Sequence, residues 1–337
     1  MSWNTTTFEK EMFKYFEEIN GKECKLYTDY ISIRSSLFHD NFFDEIKGQE
    51  PNLSDHSARH IQDVFERAYK IIGAEQFRQF NVTEIYCLSL MILFHDVGNI
   101  FGRVGHESRT NIAKVYNIYR ANVSNYHNER RIITTGASAH AGKTKSGSKD
   151  TLRDLKDDNL GSDKINLKEL ASILRFADEL AEGKQRTCSF LIDEGKYKED
   201  SKIYHHYARI TEIFIDQKLG RIAITYNIDI PLTMDEESKI KLKDLLLFTF
   251  HRIHKLNEER IYTKYHSELL KVFKSVSVVY NFTKDNLPLD FELNQIIFED
   301  TYPVPGEKKI VEEFDLQGLF TAKDMNYDID KIIESLS

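Results

Sequence analysis

The chain has 337 residues, 41% of them hydrophobic, with a formal net charge of −8. That length suffices for a large buried core, and we expect one main domain with an appendage. The acidic balance supplies no global field for polyanions, which argues against nucleic acid as the main partner. Cys24, Cys87 and Cys188 are odd in number and lack metal-ligand spacing, as expected in a reducing cytosol. The first ten residues carry no charged-then-apolar signal pattern, and the apolar run 85–94 is short for a bilayer. A cytoplasmic location is the expectation.

In chain order, Thr6-Thr7-Phe8-Glu9 reads as a capping box opening a helix, and a second helical stretch is expected from 25 to 47. A third runs from about His56 to Ile72 and stops at Gly73. Its residues Ile61, Val64, Phe65, Ala68, Ile71 and Ile72 form one apolar arc, with His60 at the border. The run from Ile85 to Phe94 can only be buried, and His95-Asp96 follows it directly. Gly105-His106-Glu107 opens another helix-like stretch. One more, from near Asn128, closes on Ala139-His140-Ala141-Gly142. Residues 143–161 are polar and read as the longest loop. A further helix spans 167–181.

After about Leu191 the pattern changes. Residues 208–216 and 221–230 alternate apolar and polar as two half-buried strands joined by Gln217-Lys218-Leu219-Gly220. A long helix is expected from 233 to 259, with more helix to 274 and a strand at 275–282. The chain thus reads as mainly α: a helical domain over 1–191 and a smaller α+β appendage over 192–337, covering the active site or supplying an oligomer contact. His205 and His206, placed on a strand, would face opposite ways. Together with His251 and His254 they read as structural or surface residues.

Several residues point to metal chemistry. An unpaired carboxylate at Asp96, straight after an apolar run, costs several kcal/mol or shifts its pKa, roughly. A divalent cation removes that cost. Asp178 is the sharper case, because a rotation of about 100° per residue places it among Leu167, Ala171, Leu174 and Ala181. Glu179 projects oppositely, with Arg175, Lys168 and Ser172, so the inward carboxylate needs a cation from elsewhere.

The order His60, His95-Asp96, His106, His140, Asp178 resembles the HD superfamily of metal-dependent phosphohydrolases, whose signature is a lone His, a His-Asp pair and a distant Asp. Asp55-His56 through Val64 looks like its first metal helix, 93–99 like its central motif, and 174–180 like the helix with the last ligand. The likeness covers roughly residues 50–190. It departs from many members at Asn99, where they carry Lys or His, and no second His stands beside His140. The resemblance implies a helical HD core binding one or two divalent ions (Mn²⁺, Fe²⁺, Zn²⁺ or Mg²⁺), for which these nitrogen and oxygen ligands are suited. His60, His95, Asp96 and Asp178 would hold the first, with Asp96 bridging to a second held by His106 and His140. Such ions bring bound water to a pKa of roughly 7 and stabilise both oxygens of a phosphoryl displacement.

Asp96, His106 and Lys143 are the catalytic candidates. Arg103, Arg109, Lys143 and Arg186 are the candidates for substrate phosphate, Arg as a fork and Lys as a point charge. Gly142-Lys143-Thr144 lacks the upstream glycine of a P-loop. The expected activity is hydrolysis of a nucleotide or another small phosphate ester. Two alternatives stand beside it: a nuclease or cyclic-oligonucleotide phosphodiesterase in signalling or defence, taking a short oligonucleotide at the basic loop 143–149, and a nucleotide sensor without turnover.

Overall fold

The computed structural model describes residues 3–21, 23–49, 57–120, 126–144, 147–285, 287–291, 293–300 and 329–336. They form a mainly α-helical first unit, Met1–Ala181 with Glu259–Val272, and a second α+β unit, Glu182–Glu258 with Phe273–Ser337.

The first unit is built around a helix that is apolar on every side and therefore has to be enclosed. This is α6 (Val82–Phe94), opened by a capping box between Asn81 and Glu84. Ile85, Cys87, Leu88, Met91, Ile92 and Phe94 are fully buried. Around it pack α1 (Thr7–Asn20), α2 (Lys25–His39), α4 (Ala58–Ile72), α8 (Tyr126–Ser138) and α9 (Leu167–Glu179). The stretch Val82–Phe101 is long and apolar enough to cross a membrane by length and composition, more than the run 85–94 suggests; 83% of its apolar window is buried inside the fold. α1 starts at the expected capping box, with Thr6 as N-cap. On α4 the whole expected arc is buried.

The expected single helix over 25–47 is broken. Asn41 adopts φ 53° between α2 and α3 (Phe42–Gln49), a left-handed conformation that asparagine tolerates and a helix does not. Two helices begin or end short of their histidines: α7 (Arg109–Tyr119) starts at its Ser108 cap, beyond His106, and α8 stops at Ser138, before His140. The segment read as one long loop carries a small hairpin, β1 (Asp158–Leu160) and β2 (Asp163–Ile165), and buries Leu152. Ser172, expected on the outward face of α9, is buried and donates to the Lys168 carbonyl at 2.7 Å.

In the second unit, β3 (Thr211–Asp216) pairs antiparallel with β4 (Arg221–Ile230) through the expected turn. β4 runs parallel to β5 (Ser275–Lys284), which also carries β6 (Leu287–Pro288) and β7 (Ile296–Glu299) antiparallel. A parallel pair needs a long crossover, here occupied by α12 (Glu236–His266) and a 3-10 turn at Leu269–Val272. Buried Ile222, Ile224, Tyr226, Val276, Val278 and Tyr280 line one sheet face, and the Tyr280 hydroxyl meets Thr249 of α12 at 2.8 Å. β3 is shorter than its alternation suggests. Residues 208–210 finish α11 (Glu199–Ile210), following α10 (Ser189–Asp193), and the Thr211 hydroxyl caps α11 through the Tyr207 carbonyl. His205 and His206 are accordingly helical, and His205 stacks on Tyr197. The last described helix is α13 (Ile329–Leu336).

The division falls after Ala181 rather than after 191, and 259–272 return to the first unit. The Glu169 carboxylate of α9 explains that return: it accepts from the Ser267 hydroxyl and from the Glu268 and Leu269 amides at 2.9 and 3.2 Å.

Candidate metal centre

Four helix ends and one tight turn deliver the candidate ligands. α6 finishes at Phe94, leaving His95 at its C-cap and Asp96 beyond it at φ −105°. A 3-10 turn, Val97–Phe101, then redirects the chain. A Cβ on Gly98 would stand 1.8 Å from the His106 carbonyl oxygen, so only glycine lets the His106 turn close onto Asp96. His60 comes from the first turn of α4, His140 from the turn after α8, and Asp178 from the last turn of α9.

Asp96 lies between two sets of imidazoles. Its Oδ2 is 3.6 Å from His60 Nε2 and 3.5 Å from His95 Nε2. Its Oδ1 is 3.5 Å from His106 Nε2 and 3.7 Å from His140 Nε2. Asp178 Oδ1 closes the first set, 3.1 Å from His60 Nε2 and 3.6 Å from His95 Nε2. His60, His95 and Asp178 form one group able to hold a metal ion, and Asp96, His106 and His140 another, with ligand atoms within 4.8 Å of one another in each. Five of the six residues are buried and Asp178 is partly so. The structure brings all six expected ligands together; Asp178 does face inward, and Arg175 turns away to Glu259.

One device orients three of the rings. His95 Nδ1 lies 2.8 Å from the Ile92 carbonyl, His106 Nδ1 2.9 Å from the Arg103 carbonyl, and His140 Nδ1 2.7 Å from the Ala137 carbonyl. A carbonyl only accepts, so each Nδ1 carries a proton and each ring turns its Nε2 toward the carboxylates. Ile92 and Ala137 sit in the last turns of α6 and α8, where carbonyls lack a helical partner. His95 Nε2 is buried and makes no hydrogen bond among the described residues. Most of the nitrogen–oxygen separations exceed hydrogen-bond length. They suit donors converging on a shared ion, at metal–ligand distances of about 2.0–2.2 Å, and the donor set fits borderline divalent metals.

The electrostatics agree. Burial disfavours a charged His95, but Asp96, Asp178 and the Ile92 carbonyl outweigh it and raise its pKa to about 9. Burial pushes His106 down to about 4; Asp96 opposes this, while Arg103 and His140 add to it. Burial alone would raise Asp178, yet His60 and His95 hold it well below the usual carboxylate range. Without an ion, His95 is thus held in its charged form beside Asp96 and Asp178 at neutral pH.

Among the expected phosphate partners, Arg103 stands at the centre: its Nη1 is 3.3 Å from His106 Nε2 and 3.3 Å from Asn99 Oδ1. Arg109 opens α7 and donates to Thr134 at 3.3 Å. Lys143 is exposed, three residues past His140. Arg186 is buried in the second unit and pairs with Glu182 at 3.0 Å. His56 and Asp55 lie outside the described residues, as do Lys145 and Ser146 of the basic loop.

Sequence reasoning passed over two contributors. Asn99 is buried, donates to the Asp96 carbonyl at 3.0 Å and accepts from Arg103. Glu107 lies 3.1 Å from His106 Nδ1 and packs so closely on Gly142 that a Cβ there would meet it at 2.4 Å. The departure at Asn99 and the Gly-His-Glu run were the available signals.

The HD-CE family model matches residues 50–256, more than half of the chain and a span holding all six candidate ligands. No curated protein and no solved structure matches it. With an HD-type domain over that span and the His/Asp groups in its helical part, the chain belongs to the HD-CE family.

Proposed function

We propose that the chain is a metal-dependent phosphohydrolase acting on a nucleotide or another small phosphate ester. The observation that carries this reading is Asp96, which turns one oxygen to His60 and His95 and the other to His106 and His140. That is the disposition of a carboxylate shared by two ions. His60, His95 and Asp178 would complete one ion's protein ligands, and His106 and His140 the other's. Divalent ions bound there would supply Lewis acidity and an activated water at neutral pH.

The remaining work falls to side chains. Arg103, steadied by the buried Asn99, offers a planar fork to phosphate oxygens beside His106. Lys143, exposed three residues past His140, adds a point charge, and Arg109 is a further cation at the head of α7. Arg186 already neutralises Glu182 and is left out of this assignment. His95, charged in the ion-free protein, gives up a proton on loading.

The test is elemental analysis of metal per chain on gently purified protein and on Asp96→Ala, with a phosphate-ester screen in Mn²⁺ and Fe²⁺. Two equivalents in the wild type, lost together with phosphate release in the variant, are expected. Wild-type turnover by Asp96→Ala would refute the assignment.

A further inference from the structure

A half-buried arginine near the centre takes no part in the assignments above. Arg175 lies on α9, one turn before Asp178, and its guanidinium is shared between two tasks. Nε and Nη2 make a two-pronged contact with Glu259, at 2.6 and 2.7 Å. Nη1 donates to the Thr151 hydroxyl at 2.9 Å and reaches the Ala139 carbonyl at 3.4 Å. The Thr151 hydroxyl in turn donates to that same carbonyl at 2.7 Å. Tyr262 lies against the guanidinium, 4.7 Å from ring centroid to carbon. Its hydroxyl accepts from the Leu152 amide and donates to Asp150, both at 2.9 Å, so the 150–152 strip is fixed on three successive residues.

The target of this network is informative. Ala139 precedes His140 and lies past the end of α8; the two amides still bond back to the Gly136 and Ala137 carbonyls at 3.1 and 3.3 Å, while the Ala139 carbonyl is taken by side chains. The Ala137 carbonyl sets the ring of His140, but the Ala139 carbonyl sets the peptide from which that ring springs. An ion pair that served only to pack α9 on α12 would need Nε, Nη2 and Glu259 alone. The third nitrogen is spent, with Thr151, on the carbonyl of the residue next to a candidate ligand.

We infer that Arg175 and Thr151 are positioning residues that fix His140, and with it the Asp96–His106–His140 group, at a set distance from the group completed by Asp178. The inference rests on the two-ion reading of the centre. Arg175 moves with the helix that carries Asp178 and grips the turn that carries His140. The spacing of the two groups is therefore set through one guanidinium and one hydroxyl. Groups that orient metal ligands from behind typically change metal affinity by about 10–100-fold when removed.

The experiment is a metal titration by competition with a chelating dye, run on wild type, Thr151→Val, Thr151→Ser and Arg175→Lys, with thermal unfolding of each metal-free protein alongside. Thr151→Val removes the hydroxyl and leaves the Arg175–Glu259 pair in place. It should bind the first ion as wild type does and the second about 10–100-fold more weakly, with an unchanged melting transition. Thr151→Ser restores the hydroxyl and should recover the second affinity. Arg175→Lys keeps the charge without the fork; it should weaken the second ion as Thr151→Val does, and melt lower as well because the two-pronged contact with Glu259 is lost. Two ions held by Thr151→Val at wild-type affinities would overturn the inference while leaving the centre intact. Loss of both ions in step with a lowered melting temperature would overturn it in favour of a packing role. Fewer than two ions in the wild type would instead remove the two-ion reading, and the inference with it.

Discussion

Two sets of carboxylates in the first unit are built on opposite plans. Glu9, on α1, is fully buried and closed. It accepts from the Thr6 amide at 2.8 Å and hydroxyl at 2.9 Å, from Tyr30 at 2.7 Å, from Arg34 at 2.6 Å and from Trp3 at 3.1 Å. Burial would raise its pKa, but the Thr6 amide, Tyr30 and Arg34 hold it below the ordinary value. Asp96 and Asp178 instead face imidazole nitrogens, mostly at 3.5–3.7 Å, and the rings of His95, His106 and His140 are turned toward them by backbone carbonyls. A cluster that has satisfied its lone pairs with donors holds a fold together. A cluster whose carboxylates face ring nitrogens mostly beyond hydrogen-bond length has room for a cation, and that contrast separates structure from chemistry better than burial does.

The contrast is broken most severely by a pair of substitutions. Asp96→Ala should lower turnover by at least about 10³-fold, since enzymatic accelerations commonly exceed about 10⁶, and should empty the centre without unfolding the chain. Glu9→Ala should do the reverse. It leaves the half-buried Arg34 and the buried Tyr30 without their shared carboxylate, a loss of about 3 kcal/mol, read by urea unfolding, while metal content per folded chain stays at the wild-type level. If Glu9→Ala instead released metal, the two clusters would not be independent.

A pH series sharpens the same comparison. With a pKa raised to about 9, His95 in the ion-free protein stays protonated at neutrality, and an ion has to displace that proton. Metal affinity should therefore climb by about tenfold per pH unit between about 7 and 9 and level off above. The sign for the ion-free fold is opposite. The charged His95 contributes stability in full below the unfolded value of about 6.5, and that contribution is lost as pH rises through about 9. An affinity flat from pH 7 to 9 would contradict this.

The smallest effect concerns another buried carboxyl. Glu129 is buried on α8 between the hydroxyls of Tyr86, at 3.2 Å, and Tyr116, and burial raises its pKa. Its folded form holds a proton more firmly than the unfolded one, so stability should rise as pH falls through the raised pKa toward the unfolded value. Glu129→Gln keeps an acceptor for the tyrosines and removes the buried charge. It should stabilise the protein by about 1 kcal/mol at neutral pH, an ordinary single-site magnitude, and flatten its pH dependence, both measurable by urea unfolding.

Much of this architecture is legible in the chain because burial leaves periodic marks. The arc of α4, the enclosed run of α6 and the inward side of Asp178 all follow from counting residues around a helix. So does the alternation in β4. What does not follow is anything decided by a single backbone angle or by distant partners. Asn41 breaks a helix whose apolar spacing continues across it. The end of α11 is settled by a Thr211 cap against a pattern that also suits a strand. Arg175 reads correctly as pointing away from Asp178, but its partners Thr151 and Glu259 lie 24 and 84 residues away, beyond any local pattern. The return of 259–272 to the first unit is fixed by Glu169 in the same long-range way.

The three carbonyl clamps on His95, His106 and His140 bear on how such a chain can drift. Every residue type has a main-chain carbonyl, so the clamping role of positions 92, 103 and 137 places no demand on their side chains. Insertions and deletions are another matter. Adding or removing one residue between a clamp and its histidine changes the reach of the turn, and no substitution nearby restores it. The spacing between Ile92 and His95, and its two counterparts, is thus a harder inheritance than most of the residues that surround it.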